Sequence, residues 1–382
     1  MVLRDCRRLL AGLLVVASSA WFAAGCGTNF KLPTEHTETR TLPDSGSYQR
    51  IATWTGMGGI TDILLTPSGE LFLVFQNAGT RTGMVREYPQ SRPEPLSTVF
   101  PRVLNPVAIC FGANKLFVLD QGDTASARSD LTCVYTADCG IVNGFPRPIT
   151  NVSLYWHVRE FELDGDSVST FSDTTFAWVN GIAADAVGRV YVAGVIIYCR
   201  VDSFDPRVRS LEYQFRIYRY RHGTGDRNVV DGPWRRDTDF GLVEGTGIGS
   251  TIDPRGMQWS DMGGAALYFA DLGNNEVQKY GEPGSFASSF KLDVGGAGSD
   301  SMALVRPTDV AVDSAGFIYV LDAGNLRVLR YGPDGEFVQR VDRNSRETGR
   351  LLTRPVAVAA DNQQVYVADP GAAEVLRYMR RK

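Results

Sequence analysis

Two stretches near the C-terminus share one grammar, and the second is cut short. RPTDVAVDSAGFIYVLDAGNLRVLRYGPDGEFVQRV runs from Arg306 to Val341, and RPVAVAADNQQVYVADPGAAEVLRY runs from Arg354 to Tyr378. The first holds four short runs, PTDVAV, FIYVLD, RVLRYG and EFVQRV, separated by DSAG, AGN and PDG. Short β-branched and aromatic runs closed by Gly, Asn and Asp predict antiparallel strands joined by tight turns. The second copy has no counterpart to EFVQRV before the chain stops at Lys382.

The same pattern recurs upstream at 253–294, 179–221, 105–123 and 59–100, which gives six units in all. Where no insertion intervenes the period is about 45 to 50 residues, the spacing of four-stranded propeller blades. A lone sheet of four strands cannot bury both faces, whereas six around an axis cover each other. The predicted fold is therefore all-β, a six-bladed β-propeller of four-stranded blades. The first strand of each unit should be buried on both sides, as the consecutive apolar Val310, Ala311 and Val312 imply. Small residues recur at the Ala311 position (Ala183, Ala359 and Cys110), with Leu64 and Gln258 as departures. Cys110 accordingly reads as a small core residue.

A ring must join its ends, because an open edge exposes unpaired backbone groups. Upstream of the first unit stands an orphan run, SYQRIATWT at Ser47–Thr55, similar in character to EFVQRV. It is expected to supply the missing fourth strand of the last blade. Asp120, Asp271, Asp322 and Asp369 each end a second strand. A residue repeated from blade to blade reads as a turn device, with the carboxylate bonded to the backbone of the following loop.

The chain begins with a basic stretch, MVLRDCRR, then the apolar LLAGLLVVASSAWF, then AAGC at Ala23–Cys26. That layout is a secretion signal over residues 1–25, too short to span a bilayer comfortably. Residues 26–46 are polar and aperiodic and read as a flexible tether before the propeller at 47–382. The hydrophobic share of 43% suits a large core, and 40 Gly with 18 Pro suit many turns. A net charge of −4 with no clustered basic face gives no footprint for nucleic acid.

Two insertions interrupt the repeat, Thr124 to about Asn151 in unit two and about Val195 to Tyr213 in unit three. Both fall between second and third strands, so both should emerge at one end of the ring from adjacent blades. They form a candidate binding lip of Tyr135, Tyr155, Trp156, Tyr198, Arg200, Arg207, Arg209 and Tyr213. Tyr, Trp and Arg are the side chains most common in binding hot spots. Cys133 and Cys139 lie close together in the first insertion and form a candidate disulfide in an exported protein, with Cys199 as the rival partner for either.

The run RPTDVAVDSAGFIYVLDAGNLRVLRY resembles the NHL repeat. The likeness extends to 354–378 and 254–280 and thins in the first three units. It implies a six-bladed propeller used as a binding platform. AAGC resembles the cleavage box of bacterial lipoproteins, with Ala23 where Leu is usual. That resemblance implies an acylated Cys26, palmitate among its chains, and, because Gly27 rather than Asp follows, the outer membrane. The alternative is an ordinary signal peptide cut near the same place.

VNGIAADAVGRVYVAG, around Asn180, resembles the metal segment of the gluconolactonase family, which implies calcium in the channel and a hydrolase. That family also places an Asp at the matching position of another blade. Here Thr61, Val107, Arg255, Thr308 and Val356 stand there, with Asp62 and Asp309 one residue later. Asn180, Asp62 and Asp309 are the candidate ligands of this second reading. The zinc site of peptide-amidating lyases needs several His, and this chain has only His36, His157 and His222. The sequence contains no GxSxG, HExxH or P-loop run. The first reading is thus a lipid-anchored envelope propeller that binds a protein or glycan partner and needs no cofactor.

Overall fold

The computed structural model describes residues 47–381 other than 78, 81, 97, 99, 122–140, 143–144, 147–155, 174, 202–208, 224–228, 231, 247–249, 263, 282–289, 293–302 and 342–351. Six antiparallel sheets form a closed ring, their inner strands touching in cyclic order. The inner strands of blades I to VI are Ile60–Leu65, Pro106–Gly112, Phe176–Ala184, Pro254–Ser260, Pro307–Val312 and Ala357–Ala360. Blade V shows the plan, with Ile318–Asp322, Arg327–Tyr331 and Phe337–Arg340 outside its inner strand.

The orphan run closes the ring. Tyr48–Thr55 pairs antiparallel with Glu374–Arg380, outermost in blade VI, from Tyr48 opposite Arg380 to Thr55 opposite Glu374. Its two anchors enter different interfaces. Tyr48 packs with Tyr319 and Val358 between blades V and VI, and Trp54 with Tyr88 and Tyr366 between blades VI and I. The Tyr48 hydroxyl meets that of Tyr319 at 2.9 Å, and Tyr319 donates to Asp313 Oδ2 at 2.9 Å. Arg330, fully buried, donates from Nε to the Tyr319 hydroxyl and lies 3.6 Å from the Phe317 ring centroid. The seam is therefore both a hydrogen-bonded ladder and a pair of buried aromatic plugs.

Buried apolar side chains among the described residues fall into six clusters, one for each interface between neighbouring blades. The core is a ring of six wedges, as expected when each sheet covers the next. Cys110 lies in the wedge between blades II and III, 5% exposed and with a free thiol.

The repeated Asp residues tie each blade to its own beginning. Asp120 accepts from Asn105 N at 2.7 Å, Asp271 from Ile252 N at 2.9 Å, Asp322 from Val305 N at 2.7 Å and Asp369 from Arg354 N at 2.9 Å. The main partner is thus the segment leading into the inner strand. The loop that follows is a lesser partner, as with Asn274 and Asn325 on Asp271 and Asp322. Each carboxylate satisfies N–H groups where the chain enters the crowded centre.

Two details differ from the sequence reading. Blade I has three strands among the described residues, Ile60–Leu65, Leu71–Asn77 and Thr82–Tyr88; of the expected fourth, Leu96 donates its backbone N–H to Glu87 O at 2.8 Å. In blade III the described parts of the expected insertion are strand. Val190–Val201 and Arg209–His222 pair continuously from Val190 opposite Tyr220 to Val201 opposite Arg209. The run VIIYCRV is rich in β-branched and aromatic residues, and it continues the ladder rather than leaving it.

Candidate functional site

Every inner strand is bulged near its start. An extra residue interrupts the register at Thr61, Val107, Asn180 and Thr308, while Arg255 and Gly256 share the bulge of blade IV. In blade VI, Val356 N bonds Ala368 O at 2.9 Å while Ala357 also pairs with Ala368. A bulge places two residues opposite one and re-aims their side chains. The first residues of the six bulges, Thr61, Val107, Asn180, Arg255, Thr308 and Val356, all line the central cavity of about 910 Å³.

The second residue of the bulge faces the neighbouring blade instead. Asp62 accepts from Ile63 N and from Ile109 N of blade II, both at 2.8 Å. Asp309 accepts from Val310 N at 2.8 Å and from Val358 N of blade VI at 2.7 Å. Each carboxylate clips two inner strands together. Gln258 does the same one step along its strand, receiving Val312 N at 2.9 Å and donating to Val312 O at 3.0 Å. Gly256 leaves room for the second clip, since a Cβ there would stand 2.2 Å from Asp309 Oδ1. Burial pushes the Asp62 carboxyl up to about 7. Burial, with the Asp62 charge added, pushes Asp309 well above the carboxylate range.

This geometry weighs against Asn180, Asp62 and Asp309 as a calcium set. Calcium wants several ionised oxygen ligands converging on one point. Here both oxygens of each carboxylate already receive backbone N–H groups, and burial favours their protonated forms. Asn180, whose Nδ2 donates to Asp253 Oδ1 at 3.0 Å, is thereby left as a single neutral oxygen donor, too little for the ion by itself. Among the described residues no group of three His, Cys, Asp or Glu could hold a metal ion. The residues present do not fit the ion, and no chemistry is routed through it.

The two histidines of the ring proper are not brought together as ligands either. His157 opens the third strand of blade II and His222 ends that of blade III. The His222 ring lies 4.1 Å from that of Trp234, with Nε2 3.7 Å from Glu160 Oε2.

Some residues of the candidate lip fall among the described residues. Blade III rises as a two-stranded ribbon beyond Phe176, where its inner strand begins, so it stands at the end of the ring that carries the bulges. Tyr213 is 47% exposed on this ribbon, its ring 5.6 Å from that of Trp178. Tyr198 is half-buried against the wedge between blades II and III. Trp156 is a correction. It is 2% exposed and packs edge-on to Phe176 at 5.9 Å, because it directly precedes the third strand of blade II, His157–Phe161. Arg200 and Arg209 are placed only as backbone, paired with Ser210 and Val201. Tyr135, Tyr155, Arg207, Cys133 and Cys139 lie outside the described residues, as do Cys26 and the leader. Of the first insertion, Ile141–Val142 pairs with Phe145–Pro146, and the latter lies against the second strand of blade III.

The sequence reading missed Trp178 and Asp253. Asp253 stands just before the inner strand of blade IV at φ 57°, and holds Arg255 through Nε at 3.1 Å and Nη2 at 3.0 Å. A tryptophan two residues before Asn180 was the available signal for the first. Nothing in the sequence marks the second.

Fold and blade plan define a six-bladed β-propeller. The NHL repeat family model matches residues 304–331, which places an NHL repeat in blade V. Among solved structures, an aldose sugar dehydrogenase from Streptomyces coelicolor in its PQQ-bound form is 12% identical, covering 89% of this chain and 99% of its own at a TM-score of 0.49. A streptogramin B lyase is 10% identical, covering 87% of this chain and 97% of its own at 0.48. A catalytically inactive virginiamycin B lyase from Staphylococcus aureus with quinupristin is 8% identical, covering 88% and 99% at 0.44. No match was found among curated proteins.

Proposed function

We propose that this chain is a lipid-anchored propeller of the cell envelope that binds a protein or glycan partner on the ribbon-bearing end of its ring. Cys26 would carry the anchor, palmitate among its acyl chains, in the outer membrane, and residues 27–46 would give reach. The observation that supports this reading best is the blade III ribbon. Its strands have 12 and 14 residues, against 5 each in blade V, and the excess extends past the start of the inner strand and carries the exposed Tyr213. An exposed Tyr lying tilted against a Trp is an amphipathic contact element of the kind enriched at interfaces. The residues suited to calcium chemistry hold the blades together instead, which favours binding over hydrolysis.

A photo-crosslinking residue placed at Tyr213 and, separately, at Val187 tests the reading in intact envelopes. Val187 is 74% exposed on the turn at the opposite end of blade III. A discrete adduct from position 213 and none from 187 is expected. Equal labelling from both ends, or none from 213, contradicts it.

A further inference from the structure

Five side chains form one continuous row across the end of blades III and IV, beneath the ribbon. The Tyr213 ring lies tilted against Trp178, centroids 5.6 Å apart at an interplanar angle of 37°. Trp178 and Asn180 follow each other at two-residue spacing on the inner strand of blade III. Asn180 bonds Asp253, and Asp253 grips Arg255. The row thus runs from an aromatic pair to a hydrogen-bonded polar network, and Asn180 and Arg255 line the central cavity.

The polar half is pre-oriented but not used up. Asp253 takes Nε and Nη2 of Arg255 and Nδ2 of Asn180, which fixes all three planes. Among the described residues the Arg255 Nη1 donors and the Asn180 Oδ1 acceptor have no protein partner, and the Arg255 side chain is 47% exposed. The Arg255 and Asp253 charges cancel, so the cluster presents donors and acceptors side by side with little net field. That excludes a dianionic phosphate as the best guest and suits a neutral one. Vicinal hydroxyls, each both donor and acceptor, match alternating N–H and carbonyl groups held in a plane. A pyranose also has a flat C–H face, which an aromatic ring covers well.

We propose that Tyr213, Trp178, Asn180, Asp253 and Arg255 form a saccharide-binding cleft, with the aromatic pair under one sugar ring and the polar network bonding hydroxyls at the cavity mouth. This deepens the contact-face reading above and rests on it. It names a neutral glycan as the guest of that face.

The probe is a panel of neutral disaccharides (maltose, cellobiose and N,N′-diacetylchitobiose) titrated against the full propeller by saturation-transfer NMR, with a tetraglutamate peptide beside them. At least one sugar is expected to bind at millimolar concentration and to bind equally at 0.05 and 0.5 M salt, since no net charge is neutralised (salt acts on charged contacts). Asn180→Ala and Tyr213→Ala should each weaken it about tenfold, and Trp178→Ala should abolish it. Tyr213 is exposed, so its variant reports on binding even if Trp178→Ala disturbs the fold. No transfer to any sugar, unchanged transfer in the Tyr213 and Asn180 variants, or salt-sensitive binding of the peptide in place of sugar each overturns the inference. If the sugars fail while the crosslink from position 213 persists, the contact face stands and its guest is a protein. If that crosslink also fails, both readings fall.

Discussion

Blade V and blade III share one plan and differ in what lies beyond it. In blade V the four strands hold 6, 5, 5 and 4 residues, and its polar side chains turn inward to architecture. Asp322 ties down the chain entering the blade, Asp309 clips blade VI, and Arg330 meets the Tyr319 that receives Tyr48 from the seam. In blade III the four strands hold 9, 12, 14 and 11 residues. The inner halves of those strands pack as blade V does. The outer halves of the second and third strands leave the ring and carry Tyr213 into solvent. A repeat unit that matches its neighbours is explained by the ring. One that overruns them is not explained by the ring alone, and the proposed contact face is drawn from that excess.

Substitutions in the two regions should separate accordingly. Trp54, 3% exposed at the seam, is a large buried plug, and Trp54→Ala is expected to cost about 3–5 kcal/mol in denaturant unfolding. Asp309→Ala removes the acceptor of two buried amides, Val310 N and Val358 N, and should cost about 1–3 kcal/mol for each amide left unpaired. At the small end, Tyr213→Ala should change stability by less than about 0.5 kcal/mol while weakening the proposed binding about tenfold. A Tyr213 variant as destabilised as Trp54→Ala would mean that the ribbon belongs to the core and the comparison is wrong.

The clips add a pH dependence of fixed sign. The folded pKa of Asp62 lies near 7, above its ordinary value of 3.8. The contribution of such a group is fully present below the unfolded pKa and is lost as pH rises through the folded one. Asp309, also raised, acts in the same direction. The parent should therefore lose stability between about pH 4 and pH 8 relative to Asp62→Asn, which cannot ionise. Parallel melting curves across that range would remove the buried-clip account.

The blade plan was open to reading because it rests on strand alternation and turn residues, which are local and repeated six times. The missing last strand and the orphan Ser47–Thr55 pointed to each other for the same reason. The channel was harder. Alignment placed Thr61, Val107, Arg255, Thr308 and Val356 with Asn180, and the bulges show why Asp62 and Asp309, one residue later, do different work. A one-residue step across a bulge turns a side chain from the axis to the next blade, and no pattern of residue types reveals that turn. Trp156 was misplaced because the third strand of blade II follows a long insertion, although Trp156, Val158 and Glu160 alternate as a buried strand face should. Asp253 depends on contacts between residues 73 apart and could not be read at all.

Amide hydrogen exchange on the intact chain tests the central contrast most directly. If Tyr48–Thr55 closes the ring, its ladder with Glu374–Arg380 should exchange as slowly as the inner strands of blade V. The end of the two-stranded ribbon, Tyr198–Val201 with Arg209–Glu212, which no third strand of its own sheet flanks among the described residues, should exchange orders of magnitude faster, since a lone strand pair is marginal in water. A seam that exchanges as fast as the ribbon would mean an open ring, and a ribbon as protected as the seam would mean that blade III has no part left over for binding.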